Sequence, residues 1–344
     1  MKKIKVIFTG GTIGSLAQGN NINTNAQTQY MLLEKYGKNL DRFECISPLS
    51  ILSENANLGN VLVMAREILN AQSEDICGII LTHGTDTLAY SASLISFLLP
   101  NLKVPVVLVS SNKILTDQSA NGIPNFASAV NLLDCENLEP AVYVAFKNEG
   151  EEHTNIHLGV RMLEPYSFSD NFYSAKGKVF AKDINGKIEF LNANIEKDDV
   201  NFDLNLDLEN AENLDALITK TGIFMHPFLG LNYLAYQSIK CDFILHDLYH
   251  SGTANTQEFT KENNTNFLSF AEHCEKNNIP LYVCNLTKKD INYESANLML
   301  EKNVVPIYDC LTNVALAKLI VAHNFLGKEK INEYLNSSIC GERI

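Results

Sequence analysis

The stretch ILTHGTDTLAYSASLISFLL, residues 80–99, has three parts. An apolar run ending at Thr82 meets a polar turn, His83-Gly84-Thr85-Asp86-Thr87, and the turn opens a second apolar stretch long enough for a helix. A run apolar at every position fits a strand buried on both faces, which is the habit of parallel sheets. The fragment KVIFTGGTIGS, residues 5–15, repeats the design: an apolar run, then Gly10-Gly11-Thr12. Ligands of open parallel sheets bind beyond the carboxyl ends of the strands, so both turns lie where chemistry is expected.

The same rhythm extends outward. Strands are expected at 4–9, 76–82, 104–110 and 141–146, and helices at 58–72, 87–99 and 125–134. Alternation of this kind implies βαβ crossovers. KVFAKDINGKIEFL, residues 178–191, reads as a hairpin around Asn185-Gly186, a pair suited to the positive φ angles of a type I′ turn. The acidic, Asn-rich residues 192–213 read as a linker. Strands are expected again near 214–219, 242–246, 280–285 and 304–308, with helices near 228–238, 265–277, 293–301 and 312–325. The expected organisation is therefore a domain over 1–191, a linker over 192–213 and a smaller α/β domain over 214–344.

Composition narrows the function. At 46% hydrophobic and 19% charged, the 344 residues can fill sizeable cores. A net charge of −13 repels a phosphate backbone, so no nucleic-acid partner is expected. No apolar run approaches the roughly 20 residues that cross a bilayer, so no membrane partner is expected. The apolar run after Lys2 and Lys3 ends at once in Thr9-Gly10-Gly11, unlike a signal peptide. The eight cysteines are spread singly with no C-x-x-C pair, which argues against a metal site and fits the cytoplasm.

Threonine, aspartate and glycine are also ordinary cap and turn residues. Two Gly-Thr turns at two strand ends of one sheet suggest more: a threonine hydroxyl as nucleophile, with glycine N–H groups beside a developing oxyanion. Neither a P-loop nor G-x-G-x-x-G follows the first strand.

T-G-G-T-I-G at 9–14 and H-G-T-D-T-L-A-Y-S-A-S at 83–93 together resemble the two signature motifs of the bacterial L-asparaginase family, including its cytoplasmic type I branch. SPLSILSENANL (47–58), VPVVLVSS (104–111), LGVRMLEPYSFSDNF (158–172), SGTANT (251–256) and NVVPIYDCLTNVALAKL (303–319) continue the likeness in the same order. The resemblance implies a large doubly wound, mostly parallel sheet domain plus a smaller flavodoxin-like α/β domain. It implies a homodimer or homotetramer with sites between the N-terminal domain of one subunit and the C-terminal domain of a neighbour. It also implies no metal or organic cofactor, and hydrolysis of the side-chain amide of L-asparagine or a related small amide to the acid and ammonia.

Carried over by position, Thr12 would be the nucleophile, with Thr85 and Asp86 beside it as catalytic residues. Gly11, Ser53, Glu54, Gly84 and Asn255 would line the substrate, Asn255 lent by a neighbouring subunit. Three positions depart from the family pattern. Glu164 stands where the family has a lysine that moves protons around the second threonine. The lid LAQGNNINTNAQTQ (16–29) holds no tyrosine, Tyr30 being the first one after it. Residues 311–315, LTNVA, hold no glutamate. Lys113, Lys176 and Lys178 are the candidates to replace the lysine. These departures leave a second expectation open, a catalytically weak relative that binds a small amino-acid-like ligand.

Overall fold

The computed structural model describes residues 2–18, 21–24, 30–257, 266–288 and 292–344. The chain forms two units: Met1–Lys197 with Leu204–Ile218 and Ile339–Gly341, and Asp198–Asp203 with Thr219–Ser338 and Glu342–Ile344.

In the first unit β1 (Lys3–Ile7) runs into a turn and a small hairpin, β2 (Ser15–Gln18) and β3 (Asn21–Thr24). Then follow β4 (Phe43–Ile46), β5 (Ile76–Thr82), β6 (Val106–Val109), β7 (Val142–Phe146), β8 (Thr154–Leu158), β9 (Ala181–Ile184) and β10 (Lys187–Phe190). Eight of these ten strands make one sheet in the order β10-β9-β8-β7-β6-β5-β1-β4. The segment β4-β1-β5-β6-β7 is parallel throughout, and β8, β9 and β10 add antiparallel strands at one side. The chain steps from β1 out to β4, then returns past β1 to build β5, β6 and β7 on its other side. The order therefore reverses between β1 and β5, and that switch point is where such sheets open a crevice.

Local chemistry explains the elements. β6 and β7 are buried at every residue, so apolar and β-branched side chains cover both faces. Helix α1 spans Met31–Tyr36, α2 Leu58–Ala71, α3 Leu88–Leu98 and α4 Gly122–Leu133. Asn57 and Asn60 cap α2 reciprocally, each side chain accepting from the other's amide. Every residue of α3 is buried except Tyr90, and its interior Ser93 and Ser96 donate to the carbonyls of Ala89 and Ala92. α4 sits tight on β5 because Gly78 has no side chain: a Cβ there would run into the Leu133 methyls. Asn185 and Gly186 take φ of 54° and 87° in the turn from β9 to β10.

Two strands of the large sheet escape the sequence reading. FECI of β4 carries an exposed glutamate, and TNIHL of β8 is polar at Thr154, Asn155 and His157, all three buried. The His157 ring nitrogen Nδ1 is satisfied by the Ser174 hydroxyl at 2.8 Å.

In the second unit β11 (Gly222–Met225), β12 (Phe243–His246), β13 (Leu281–Leu286) and β14 (Val305–Tyr308) form a parallel sheet in chain order. Its helices are α5 (Phe267–Lys276), α6 (Glu294–Leu300), α7 (Thr312–Phe325) and α8 (Ile331–Asn336). The strand expected at 214–219 is instead a 3-10 turn over Leu214–Leu217, started by the Asn213 side chain accepting from the Asp215 amide. The helix expected at 228–238 shrinks to a 3-10 turn at Tyr233–Tyr236. Gly230 at φ 93° and the Asx cap of Asn232 on Leu234 break the regular helix there.

Residues 340–342 close buried polar groups. The Cys340 thiol donates to the Ser96 carbonyl, and buried Arg161 donates Nε–H to the Gly341 carbonyl at 2.8 Å. Lys318, 2% exposed, donates to Glu342, 1% exposed, at 2.6 Å and to the Ser337 carbonyl at 2.5 Å.

The turn after β1 bonds through its backbone to the loop at Ile51 and packs on the backbone of the turn after β5. The Gly11 amide donates to the Ile51 carbonyl at 2.8 Å, and the Ile51 amide donates to the Thr9 carbonyl at 3.0 Å. A Cβ on Gly11 would stand 2.5 Å from the Gly84 amide nitrogen, and Gly11 already has φ 74°. A Cβ on Gly84 would collide with the Ser53 hydroxyl.

Substitution at two of these contacts should show in stability. Gly11→Ala confronts rigid backbone rather than a movable side chain. It is expected to destabilise the chain by about 2–4 kcal/mol, read as a lower urea midpoint at constant slope. Glu342→Gln leaves the buried Lys318 ammonium without the Glu342 charge and should cost about 3–5 kcal/mol by the same measurement. A change under about 1 kcal/mol in either variant would contradict the corresponding contact.

Candidate active site

Thr12 begins a 3-10 turn, Thr12–Gly14, directly after Gly11. The Ser15 hydroxyl donates to the Gly11 carbonyl at 2.7 Å and the Gly14 amide donates to it at 3.0 Å, which holds the turn. Thr12 is half-buried, and its hydroxyl has no hydrogen-bond partner among the described residues. The end of β1 is tied to the end of β5: the Thr82 hydroxyl accepts from the Thr9 amide at 3.1 Å, and the Thr9 hydroxyl donates back to the Thr82 carbonyl.

Thr85 is likewise half-buried, with its hydroxyl unbonded among the described residues and its carbonyl accepting from the Leu88 amide at 3.3 Å as α3 starts. His83, 1% exposed, donates Nδ1–H to the Gly84 carbonyl at 2.7 Å. Burial lowers the His83 pKa and keeps the imidazole neutral. The Ser110 hydroxyl at the end of β6 donates to the His83 carbonyl at 2.7 Å. The turn is thus braced from both neighbouring strands.

Ser53 is the joint of the third loop. It is 3% exposed, and its hydroxyl donates to Asp86 Oδ2 at 3.0 Å and accepts from the Asp86 amide at 3.2 Å. The Thr87 hydroxyl donates to the Ser53 carbonyl at 3.1 Å. The Asp86 carboxylate is held this way but remains exposed, and so does that of Glu54, the next residue after Ser53.

Gly11, Ser53, Gly84 and Asp86 therefore meet beyond the carboxyl ends of β1 and β5, at the switch point, with Thr12, Glu54 and Thr85 as their chain neighbours. Each threonine directly follows a glycine of the backbone contact. Threonine hydroxyls, backbone N–H groups and a carboxylate are the kinds of group that acyl transfer uses.

The other expected residues lie elsewhere. Asn255 belongs to the second unit, where its side chain bonds locally to Gln257: its Oδ1 accepts from the Gln257 amide at 3.1 Å. Lys113 donates to the Ser119 hydroxyl at 2.7 Å, Lys176 sits in a 3-10 turn with φ 51°, and Lys178 is exposed. Tyr30 packs its ring on Phe8, with centroids 5.4 Å apart. Of the lid, residues 19–20 and 25–29 lie outside the described residues.

Glu164, standing where the resemblance expects a lysine, accepts a hydrogen bond from the Tyr90 phenol at 2.7 Å. Burial raises the Tyr90 pKa well above the usual phenol value, and the Glu164 carboxylate adds to it. Sequence reasoning gave Tyr90 no role. Its place four residues after Asp86 was the available signal. Among the described residues no group of three or more His, Cys, Asp or Glu is arranged to hold a metal ion, and no helix is long and apolar enough to cross a membrane.

Comparison with known proteins identifies the fold and the family. A glutamyl-tRNA(Gln) amidotransferase subunit from Saccharolobus islandicus is 26% identical over 355 residues, covering 99% of this chain and 76% of that protein. Its counterpart from Saccharolobus solfataricus is 27% identical over 364 residues with the same coverage. Among solved structures, the thermostable L-asparaginase from Thermococcus kodakarensis superposes with a TM-score of 0.75 at 22% identity, covering 99% of both chains. L-asparaginase I from Vibrio cholerae also gives 0.75, at 20% identity, covering 100% of this chain and 99% of that one. The asparaginase N-terminal family model matches residues 3–195, more than half of the sequence. The chain belongs to the asparaginase family and has its amidohydrolase fold.

Proposed function

We propose that this chain hydrolyses the side-chain amide of L-asparagine or a related small amide, with Thr12 as nucleophile. The observation that carries the reading is the meeting of two glycine–threonine turns, at Gly11-Thr12 and Gly84-Thr85, across the switch point of one parallel sheet. Thr12 Oγ1 attacks the amide carbon, and its proton passes to the leaving nitrogen. Ammonia departs and leaves an ester on Thr12. Water then cleaves the ester, restoring the hydroxyl and releasing the carboxylic acid. Backbone N–H groups around Gly11 and Gly84 stabilise the oxyanion, and Thr85 assists the proton movements. Asp86, held by Ser53, accepts from the substrate ammonium. Glu54 and Asn255 complete the substrate pocket, Asn255 from a neighbouring subunit of a homodimer or homotetramer working in the cytoplasm.

A second reading is a binder of small amino-acid-like ligands with little catalysis. It is favoured by Glu164, which reaches Tyr90 and leaves the second threonine without the family's ammonium. Positioned acids and bases typically contribute about 10²–10⁴-fold, so losing one group leaves room for slow turnover.

Ammonium release from L-asparagine and related amides separates the two. Under the enzyme reading, Thr12→Ala and Thr85→Val each lower kcat by at least about 10²-fold while the ligand still raises Tm. Absence of release, with saturable stabilisation of about 2.7 kcal/mol at 100-fold Kd of amino acid, would establish the binder instead.

A further inference from the structure

An asparagine followed by glycine is open to spontaneous loss of its side-chain amide, because glycine has no side chain to shield its backbone nitrogen. The sequence holds two such pairs, Asn121-Gly122 and Asn185-Gly186. The chemistry is intramolecular. The glycine nitrogen gives up its proton and bonds to the asparagine Cγ. Ammonia leaves with a proton, and water opens the resulting succinimide to aspartate or isoaspartate, so one water enters for each ammonia lost. Two freedoms govern the rate: that of the side chain to bring Cγ to the nitrogen, and that of the nitrogen to lose its proton.

The two pairs are restrained at different points. Asn121 is 7% exposed, its Oδ1 accepts from the Asn112 amide at 2.8 Å, and its Nδ2 donates to the Lys147 carbonyl at 2.7 Å. Its Cγ is therefore pinned from both sides. Asn185 is exposed in the turn from β9 to β10, and its side chain has no hydrogen-bond partner among the described residues. Here the hold is on the nitrogen instead: the Gly186 amide donates to Asp183 Oδ1 at 2.8 Å. Asp183 is 5% exposed, and its Oδ2 accepts from Asn131 Nδ2 of α4 at 2.7 Å. A carboxylate so placed stabilises the N–H and opposes the negative charge that builds on the nitrogen as its proton leaves.

We infer that Asn185 is this chain's site of spontaneous deamidation and that the Asp183 carboxylate holds it in check. Isoaspartate would add a main-chain carbon to a turn whose two residues, at φ 54° and 87°, join the paired Ile184 and Lys187. The modification would thus loosen β10, the outermost strand of the large sheet.

The test incubates the full chain at mildly alkaline pH and reads aspartate and isoaspartate at 121 and 185 by peptide mapping. Asn185 should convert about tenfold or more faster in urea-unfolded wild type, and in folded Asp183→Ala, than in folded wild type, the scale of a hydrogen bond to a charged group. Asn131→Ala separates the acceptor from the anchoring of the hairpin, since it frees Asp183 from α4 but leaves the Gly186 bond. It should convert at the wild-type rate, and Asn121 should stay intact in every folded variant. Equal rates in folded and unfolded wild type would overturn the inference. So would Asn131→Ala matching Asp183→Ala, or conversion of Asn121 ahead of Asn185 in the folded chain.

Discussion

Two glycines without side chains let the turns after β1 and β5 touch, and the placing of the glycine–threonine turns depends on that contact. Gly11 and Gly84 approach so closely that a methyl group on Gly11 would meet peptide nitrogen. Each glycine then delivers a threonine at the next position. The third loop is drawn in by the Gly11–Ile51 and Ile51–Thr9 backbone bonds and locked by Ser53 on Asp86. The two turns and the third loop thus share one edge because backbone packs on backbone, a geometry only residues lacking Cβ permit.

The sheet serves this contact. Parallel strands β5, β6 and β7 bury both faces, so their carboxyl ends are rigid and their turns cannot drift independently. Cross-ties at those ends, Thr9 with Thr82 and Ser110 with His83, carry the constraint across three neighbouring strands. A charge held at the start of α3 is therefore held relative to both threonine turns.

Much of this was legible in sequence. β5 through β7 and α3 announce themselves as unbroken apolar runs, and Asn185-Gly186 marks its hairpin because few other pairs take two positive φ angles. β4 and β8 were not legible, since their polar side chains find partners only once the sheet exists, as His157 does with Ser174. The 3-10 turns at 214–217 and 233–236 arise from single Asx caps that compete with strand and helix over a few residues. In the crevice, the glycine–threonine turns could be read from spacing. The Tyr90–Glu164 bond could not: 74 residues separate its ends, and neither motif predicts the other.

The stretch from Cys340 to Glu342 does work on both sides of a boundary. Cys340 and Gly341 satisfy Ser96 and Arg161 in the first unit, whereas Glu342 neutralises Lys318 in the second. During synthesis, a ribosome that has produced everything up to residue 339 has made two units that each still await one native acceptor for an interior cation. Neither can reach its final packing until the next few codons are translated. The chain's architecture thus couples the maturation of both halves to the synthesis of one short stretch.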